Sequence, residues 1–388
     1  MTALRVFILA GEPSGDKLGG ALMAGLKTLQ FDVTFEGVGG AMMQSEGLES
    51  RFDMNELSVM GLAEILPKYR HLKRRIAQTA AAVIEMQPDV LITIDSPDFS
   101  LRVAKLIKAS SSIRTVHYVA PTVWAWRAGR AAKMAHHIDQ VLALLPFEPP
   151  YMEAAGMRCD FVGHPVVAEP IATPEDAKAF RASHGMADAP LLMVLPGSRR
   201  SEVARLGPRF SEAVRDLKVK HPELQVVVPA AAPVADAVLE LTADWPDTTV
   251  LDPRHGGYDN AMVEKRAAFR AADVALAASG TVSLELAAAD TPMVIAYDMS
   301  PLSRMIIGRM VKIDTVTLVN LVSETRVVPE FIGKACEPAA IAKGIADVLA
   351  APDGQRAAMA LTMERLGQGG QAPGLRAAQA VLDGIAQV

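Results

Sequence analysis

Short, continuous apolar runs alternate with longer amphipathic stretches along most of this chain. Examples are the runs Leu4–Ala10, 89–94 and Leu191–Leu195, which are rich in valine, isoleucine and leucine and show little polar alternation. Strands of a parallel sheet have this composition because helices cover both faces of the sheet. The pattern predicts an α/β fold built on parallel sheets.

The alternating pattern runs once to about residue 160 and starts again near Leu191. The stretch at 162–176 contains three prolines and shows no periodicity, which is typical of a linker. With 388 residues, the chain is long enough for two domains of ordinary size. We predict two Rossmann-like domains that face each other across a cleft, followed by C-terminal helices that cross back to the first domain or to a partner. The predicted boundaries are 1–165, 166–350 and 351–388.

Composition excludes several functional classes. The net charge is −5, from 39 Lys and Arg residues against 44 Asp and Glu residues, so no nucleic-acid partner is expected. The chain has 2 cysteines, which form neither a disulfide framework nor a metal-ligand spacing, and this favours a reducing cytoplasm. No segment approaches the roughly 18 apolar residues that a membrane-spanning helix needs. We expect a cytoplasmic protein that is soluble or lies on a membrane surface.

The first predicted strand ends in a glycine-rich turn, ILAGEPSGDKLGG. Its spacing matches neither the dinucleotide-binding glycine pattern, nor the Walker loop, nor the nucleophile elbow of hydrolases. Glycines at a strand end allow a ligand to approach closely, and the amides of the following helix favour anions. The alternative is that Ser14 or Asp16 only caps the helix. The residues that would face a ligand here are Glu12, Ser14, Gly15 and Asp16.

A second candidate site follows the apolar run at 89–94, in the segment ITIDSPDFSL. Asp95 ends the predicted strand and Asp98 opens the next helix, so both carboxylates lie at the edge where parallel sheets bind ligands. A carboxylate there can take a proton from a hydroxyl group. The structural alternative is that Asp98 caps the helix and Asp95 holds the turn. No Asp-x-Asp sequence occurs in the chain, so the usual metal clamp of nucleotide-sugar enzymes has no evident ligands.

Two strand-to-helix turns in the second half predict phosphate binding. In LPGSRRSEV, Arg199 can offer a bidentate fork to a phosphate beside the amides of a helix start, unless the arginines there are only solvated. In ASGTVSLEL, the turn of Ser279, Gly280 and Thr281 forms a comparable nest of amides. Glu285 lies one helical turn further on the same face. Because a carboxylate beside a phosphate favours a ligand that also carries hydroxyls, such as ribose, these turns predict a nucleotide.

The segment VMGLAEILPKYRHLKRRI combines a helical stripe of apolar residues with a cluster of cations. This combination is typical of proteins that lie on anionic membrane surfaces, and a solvated amphipathic helix is the alternative. The aromatic segment that contains Trp124 and Trp126 is instead predicted to belong to the core. The residues predicted to contact a membrane are Met60, Leu62, Ile65, Leu66, Lys68, Tyr69, Arg70, Leu72, Lys73, Arg74 and Arg75.

Six segments of the chain occur together in one known family. AGEPSGD, IDSPDF, HYVAPTVWAWR, FVGHP, LPGSRRSEV and ASGTVSLELA stand in the order and spacing of the lipid-A-disaccharide synthase family, which the chain resembles from residue 4 to about 350. The resemblance implies a GT-B fold and an inverting glycosyl transfer that uses no metal or other cofactor. The implied substrates of this step in lipid A (lipopolysaccharide) biosynthesis are UDP-2,3-diacylglucosamine and 2,3-diacylglucosamine 1-phosphate, joined by a β-1,6 link with release of UDP. It also implies a homodimer that is peripheral on the cytoplasmic leaflet of the inner membrane.

The resemblance also implies roles for particular residues. Asp98 would be the general base on the 6-hydroxyl group of the acceptor, Arg199 would hold the diphosphate of the donor, and Asn320 would lie near the donor. The opening turn from Glu12 to Asp16 would face the acceptor sugar. The rest of UDP would be bound by Ser279, Gly280, Thr281 and Glu285. The chain departs from the family pattern at four positions, which leaves its donor and acyl-chain preference open: Asp298, Val319, Ser323 and Glu324.

Two other interpretations compete with this one. The first is another UDP-sugar enzyme of the same architecture, such as a cell-wall hexosamine transferase or a UDP-sugar 2-epimerase. The cationic helix argues against the soluble epimerase, and the segment around Trp124 argues against the cell-wall enzyme. The second is a non-catalytic nucleotide-binding membrane adaptor, which would keep Arg199 and Glu285 but would not need Asp98.

Overall fold

The computed structural model describes residues 3–57, 62–126, 129–186, 188–255, 257–299 and 313–387, without the side chains of 62–68 and 258. The chain divides into two compact units. The first unit consists of Met1–Ala168 and Leu366–Val388, and the second is Glu169–Arg365. Each unit is built on a parallel sheet, so the predicted α/β fold is confirmed.

In the first unit, the described residues form a six-stranded parallel sheet with the strand order β2-β1-β3-β4-β5-β6. Every residue of β3 is buried, as expected for a central strand of a sheet that helices cover. Phe7, Ile8 and Ile92 are among the large side chains that are fully buried in this core. The strands are β1 (Leu4–Ala10), β2 (Val33–Val38), β3 (Val90–Ile94), β4 (Arg114–Tyr118), β5 (Gln140–Ala143) and β6 (Arg158–Phe161).

The helices of the first unit alternate with these strands. Pro13, Pro97 and Pro149 each stand in the first turn of a helix, where the missing amide hydrogen removes no helical hydrogen bond. The helices are α1 (Pro13–Leu29), α2 (Ala41–Ser45), α3 (Leu62–Met86), α4 (Pro97–Ser110), α5 (Gly129–Met134) and α6 (Pro149–Glu153).

The second unit repeats the architecture. Its described residues form a six-stranded parallel sheet with the order β12-β11-β10-β7-β8-β9. The strands are β7 (Leu191–Leu195), β8 (Gln225–Pro229), β9 (Thr248–Leu251), β10 (Val274–Ala278), β11 (Met293–Tyr297) and β12 (Glu330–Ile332). The helices are α7 (Pro174–Ser183), α8 (Arg200–Lys220), α9 (Ala235–Thr242), α10 (Tyr258–Ala271), α11 (Val282–Ala288), α12 (Leu318–Ser323), α13 (Pro338–Ala350) and α14 (Asp353–Arg365).

The last helix, α15 (Pro373–Ala386), belongs to the first unit and packs against α1. Glycines permit this close approach, because a Cβ atom on Gly374 would lie 2.5 Å from the carbonyl oxygen of Ala21. Arg376 donates a hydrogen bond of 2.7 Å to the carbonyl of Phe161 and so ties α15 to the end of β6. Of the predicted C-terminal helices, α14 therefore lies in the second unit and α15 in the first.

Candidate active site

Both sheets reverse their strand order at one point. In the first sheet β2 lies on one side of β1 and β3 on the other, and in the second sheet β8 and β10 flank β7 in the same way. Open parallel sheets bind ligands at such switch points, outside the carboxyl ends of the strands. The predicted site residues other than Asn320 and those of α3 lie in the loops that follow β1, β3, β7 and β10 or in the first turns of the helices after these loops.

The opening turn follows β1, and its four predicted residues fall into two pairs. Glu12 is half-buried and Ser14 is exposed, and the Ser14 hydroxyl donates a hydrogen bond of 2.9 Å to Glu12 Oε1. Gly15 and Asp16 are buried. The Asp16 carboxylate accepts hydrogen bonds of 2.8, 2.9 and 3.0 Å from the backbone amides of Gly40, Met42 and Met43. Asp16 thus caps α2, and the turn leaves Glu12 and Ser14 to face a ligand.

Three residues at the carboxyl ends of β3 and β4 have a strained backbone. Asp95, Ser96 and Val119 have left-handed φ angles of 46°, 45° and 83°, a region that β-branched valine rarely adopts. The amides of Asp95 and Val119 donate hydrogen bonds of 3.0 Å to the carbonyls of Tyr118 and Leu142. Such strain persists at functional sites where the surrounding fold holds it. It marks this edge of the first sheet as a candidate active site.

Asp95 and Asp98, the two aspartates after β3, differ in environment. Burial raises the pKa of Asp95 to about 6, together with the hydrogen bond that protonated Asp95 donates to Glu12 and the negative charge of Glu12. A backbone hydrogen bond from Ser96 and the charge of Arg130 act in the opposite direction. Asp98 stands in the first turn of α4 and is exposed. A general base works best when its pKa lies near the working pH. The raised pKa of Asp95 meets this requirement of a general base.

Trp124 is bonded to a buried carboxyl group. Its indole Nε1 donates a hydrogen bond of 3.4 Å to Glu148 Oε1, and its ring meets that of Phe147 edge-on at 5.1 Å between centroids. The amide of Leu145 donates to Glu148 Oε2 at 3.0 Å, and burial raises the pKa of Glu148 to about 7. These contacts agree with a structural role for Trp124. Sequence reasoning missed Glu148, whose one signal is an acidic residue in the apolar segment LLPFEPP.

In the second unit, the turn after β7 is closed by one of its own carboxylates. Glu202 accepts hydrogen bonds from the amides of Ser198 and Arg199 at 3.1 and 3.3 Å and from Arg199 Nη1 at 2.8 Å. Gly197 makes room for this carboxylate, since a Cβ atom there would lie 2.7 Å from Glu202 Oε2. The predicted amide nest is therefore filled by Glu202. Arg199 remains 59% exposed in its side chain and available to a ligand anion.

The turn after β10 is open. Gly280 and Thr281 are exposed, and a Cβ atom on Gly280 would meet nothing within 4 Å. The predicted ribose ligand Glu285 forms an ion pair of 2.7 Å with Lys265 of α10. Ser279 is half-buried at the end of the strand. The structure thus brings the hydroxyl, amide and carboxylate groups predicted for a nucleotide to one loop.

The side chain of Asn320 is buried and forms its hydrogen bonds within the protein. The residue is 1% exposed, and its side chain donates to the carbonyl of Val328 at 2.9 Å and accepts from the amide of Val328 at 3.0 Å. A third bond of 3.2 Å reaches the hydroxyl of Thr315. The side-chain amide therefore holds α12 to the following segment. Because its hydrogen bonds are made to the protein, Asn320 would affect the donor only by holding this segment in place.

The four departures from the family pattern also have structural partners. Asp298 is 4% exposed and forms an ion pair of 3.1 Å with Arg209 of α8. Buried Ser323 donates to the carbonyl of buried Val319 at 2.6 Å. Glu324 ends α12 in a left-handed conformation with φ of 60°. Within the described ranges, no group of three or more His, Cys, Asp or Glu side chains is placed to hold a metal ion.

The predicted membrane-contacting segment lies at the start of α3. Arg75 forms an ion pair of 2.7 Å with Glu56 and lies 4.4 Å over the ring of Phe52, so it supports the fold, and Leu72 is half-buried. Among the described residues, no helix has the length and apolar composition needed to cross a membrane. Met60 lies outside the described residues, as do the side chains of Leu62, Ile65, Leu66 and Lys68. The exposed members of the segment are Tyr69, Arg70, Lys73 and Arg74.

Solved structures share this architecture along the whole chain. A putative UDP-N-acetylglucosamine 2-epimerase from Listeria monocytogenes has a TM-score of 0.61 at 13% identity and covers 100% of this chain and 96% of its own. The UDP-GlcNAc 2-epimerase from Neisseria meningitidis, solved with UDP-GlcNAc, has a TM-score of 0.60 at 12% identity and covers 100% of both chains. At this identity the likeness defines the fold class, and that class is GT-B.

Sequence comparison identifies the family within that class. The family model described as "Lipid-A-disaccharide synthetase" matches residues 6–382. The lipid-A-disaccharide synthase of Ruegeria pomeroyi is 68% identical over 381 residues, covering 98% of this chain and 95% of the relative. That of Rhodospirillum centenum is 46% identical over 393 residues, covering 99% and 96%. The chain belongs to the lipid-A-disaccharide synthase family, so it is a glycosyltransferase of lipid A biosynthesis that uses a UDP-sugar, and the epimerase and adaptor alternatives are set aside.

Proposed function

We propose that the protein transfers diacylglucosamine from UDP-2,3-diacylglucosamine to the 6-hydroxyl group of 2,3-diacylglucosamine 1-phosphate, with inversion at the anomeric carbon. The products are the β-1,6-linked disaccharide 1-phosphate and UDP. The observation that carries this proposal is the half-buried carboxyl group of Asp95, whose backbone has a left-handed φ angle, at the switch point of the first sheet in a chain of this family. A sugar hydroxyl is a weak nucleophile, so the transfer requires such a base.

Asp95 is the proposed general base. Its carboxylate takes the proton of the acceptor hydroxyl while that oxygen attacks the anomeric carbon, and UDP leaves from the opposite face with the bonding electron pair. Its pKa of about 6 leaves it ionised at neutral pH and still basic enough to accept a proton. Asp98, which the resemblance named as the base, is the alternative, and it is exposed in the first turn of α4.

Arg199 and the turn after β10 are proposed to bind the donor. Negative charge grows on the diphosphate as the glycosidic bond breaks, and a guanidinium held in place by Glu202 would stabilise that charge. The exposed Thr281 and Gly280 would approach the phosphates, and Glu285 would accept hydrogen bonds from the ribose hydroxyls. No metal is needed for this arrangement to neutralise the leaving group.

The diacylated substrates belong in a bilayer, and we propose that α3 brings the first unit to the cytoplasmic leaflet of the inner membrane. The exposed Lys73 and Arg74, beside Tyr69 and Arg70, support this proposal because anionic lipids attract such clusters. A homodimer, as the family resemblance implies, is proposed for the assembled enzyme.

The direct test is to incubate the purified full-length chain with both diacyl substrates in mixed micelles and to measure UDP and disaccharide 1-phosphate together. The two products should form in equal amounts, and proton NMR of the new linkage should show the β configuration. UDP release without disaccharide, or an α linkage, would contradict the proposal. The same assay with chelator present tests the metal-independent mechanism, which predicts undiminished turnover.

A further inference from the structure

The ends of β1 and β3 bring two carboxyl groups together. The strands are parallel neighbours in which Ala10 pairs with Ile94, so Glu12 and Asp95 follow two adjacent strand ends. Glu12 lies close enough to Asp95 to raise its pKa, through its negative charge and through the hydrogen bond that it accepts when Asp95 is protonated. Two carboxyl groups form such a bond only when one of them carries a proton, because two carboxylates both lack a donor. At neutral pH, where Asp95 is ionised, the two groups are neighbouring carboxylates.

The surrounding residues fix both members of this pair. The Ser14 hydroxyl donates to Glu12 Oε1 at 2.9 Å, which leaves the other carboxylate oxygen of Glu12 for Asp95. Gly11 allows the two loops to touch, since a Cβ atom there would lie 2.4 Å from Ser96 Oγ. The left-handed backbone at Asp95 and Ser96 sets the direction of the Asp95 side chain. Contacts within the two loops therefore hold Glu12 and Asp95 next to each other at the switch point.

Other charged and titratable groups lie on the elements next to these two loops. Arg130 of α5 opposes the effect of Glu12. His117 of β4 is buried beside Thr93, and burial lowers its pKa to about 4, so it is neutral at the working pH. Asp98 of α4 is exposed. Glu12 is thus the group on these elements whose charge favours a proton on Asp95.

We propose that Glu12 is a positioning residue, whose carboxylate lies beside Asp95 at the neighbouring strand end and accepts a hydrogen bond from the Asp95 O–H group once Asp95 has taken the proton of the acceptor hydroxyl. This inference rests on the transferase function proposed above. When Asp95 takes the proton from the hydroxyl, its new O–H group donates to the Glu12 carboxylate, so the transferred proton gains a hydrogen bond at the moment of transfer. Glu12 accordingly acts through Asp95 and does not need to touch the sugar.

The test is the pH dependence of kcat/KM for the acceptor in the full-length chain and in Glu12→Gln. Protonated Asp95 cannot accept a proton, so wild-type activity should fall as the pH drops through about 6. Removal of the Glu12 charge lowers the pKa of Asp95, so the acid limb of Glu12→Gln should move down by about one pH unit. The plateau rate should fall by about 10-fold because the base is weaker. Glu12→Asp, which keeps the charge, should lie between the two.

Glu36→Gln is the matched control, because it removes one glutamate charge from the exposed pair with Arg51 in the same unit and should leave the acid limb in place. An unmoved acid limb in Glu12→Gln with a raised acceptor KM would overturn the inference and return Glu12 to the role of a sugar ligand. If Glu12→Gln is too slow to assay, carboxyl ¹³C NMR of the full-length chain labelled at aspartate reports the Asp95 titration directly, with Asp95→Asn to assign the signal. Failure of the wild type to make disaccharide would instead contradict the proposed function.

Discussion

The two sheet edges share a topology but differ in chemistry. In the first unit β1 lies beside β3, in the second unit β7 lies beside β10, and the loops after each of these pairs flank the switch point. In the first unit these loops carry the carboxyl groups of Glu12, Asp95 and Asp98. In the second unit they carry Arg199 and an exposed Ser-Gly-Thr turn. The backbone thus supplies two equivalent positions, and a few loop residues make one suited to removing a proton and the other to holding an anion.

Glutamate residues illustrate the same difference on a smaller scale. Glu12 has another carboxyl group as its neighbour, and this raises the pKa of that neighbour. Glu202 has an arginine and two backbone amides as neighbours, so it satisfies donors and fixes Arg199. The comparison teaches that the partner of a carboxylate, more than its position at a strand end, determines whether it is suited to base chemistry or to holding another group.

The largest effect is expected for the base in the first unit. Asp95→Asn should lower kcat/KM by about 10²–10⁴-fold, because the amide cannot accept the proton of the acceptor hydroxyl. Asp98→Asn is the matched control, with the same change three residues away on an exposed helix start, and its effect should be at least ten times smaller. The measurement is UDP release with both diacyl substrates. A larger loss in Asp98→Asn would make Asp98 the base, as the family resemblance implied.

The next largest effect is expected in the second unit. Arg199→Ala should lower kcat by about 10²–10³-fold, since the charge on the departing diphosphate loses its guanidinium partner. Its exposed neighbour serves as the comparison, and Arg200→Ala should change kcat by less than about 3-fold. Steady-state kinetics with the donor varied give both values. Equal losses in the two variants would mean that the turn attracts the donor only by its net charge.

A smaller effect, on stability, is expected in the turn after β1. It distinguishes a residue that supports the fold, Asp16, from an exposed residue that could face a ligand, Ser14. Asp16→Ala should lower the free energy of unfolding of the first unit by about 2–3 kcal/mol, because three backbone amides, that of buried Met43 among them, lose their acceptor. Ser14→Ala, in the same turn but exposed, should change it by less than about 0.5 kcal/mol. Urea unfolding followed by circular dichroism measures the difference. Unchanged stability of Asp16→Ala together with a raised acceptor KM would restore the predicted sugar contact.

The smallest effect is expected at the proposed membrane contact, which only the first unit carries. Replacement of both Lys73 and Arg74 by Gln should weaken binding to anionic vesicles by roughly 30-fold, from about 1 kcal/mol for each cation. Lys343→Gln, on an exposed face of α13 in the second unit, is the control for loss of a surface cation away from α3, and it removes one charge instead of two. Co-sedimentation with anionic and zwitterionic vesicles measures the binding. Equal binding of the double variant and the control would remove α3 from the membrane contact.

The fold was predictable because its main signal is local. Buried parallel strands appear in a sequence as continuous apolar runs. The strands β3 and β7 lie where the runs at 89–94 and 191–195 predicted them. Strand order was not predictable in the same way, because pairing of β1 with β3 depends on contacts between distant segments. The switch points could therefore be located only in the structure. Their positions explain why the loops after β1, β3, β7 and β10 are the candidate ligand sites.

The candidate site was predictable in residue type but not in the use of each residue. A carboxylate after a strand looks the same in sequence whether it caps a neighbouring helix, as Asp16 does, or has its pKa raised by burial beside another carboxyl group, as Asp95 does. The partners of Asp16 lie 24 to 27 residues away, so no local pattern reveals them. For the same reason the sequence could not show that Glu202 accepts hydrogen bonds from the amides beside Arg199. It also could not show that the Asn320 side chain is hydrogen-bonded to Val328.

The return of α15 to α1 makes the first unit discontinuous, and this has a consequence for biosynthesis. The second unit is an unbroken segment that can fold as soon as residue 365 has left the ribosome, whereas the first must wait for a helix that ends at Ala386. At translation speeds of roughly 5–20 residues per second, the groove on α1 that receives α15 stays uncovered for at least ten seconds or so after Ala168 has been made. A nascent chain of this kind offers chaperones an apolar surface for that interval, and a truncation before Pro373 would remove α15 and leave that surface uncovered.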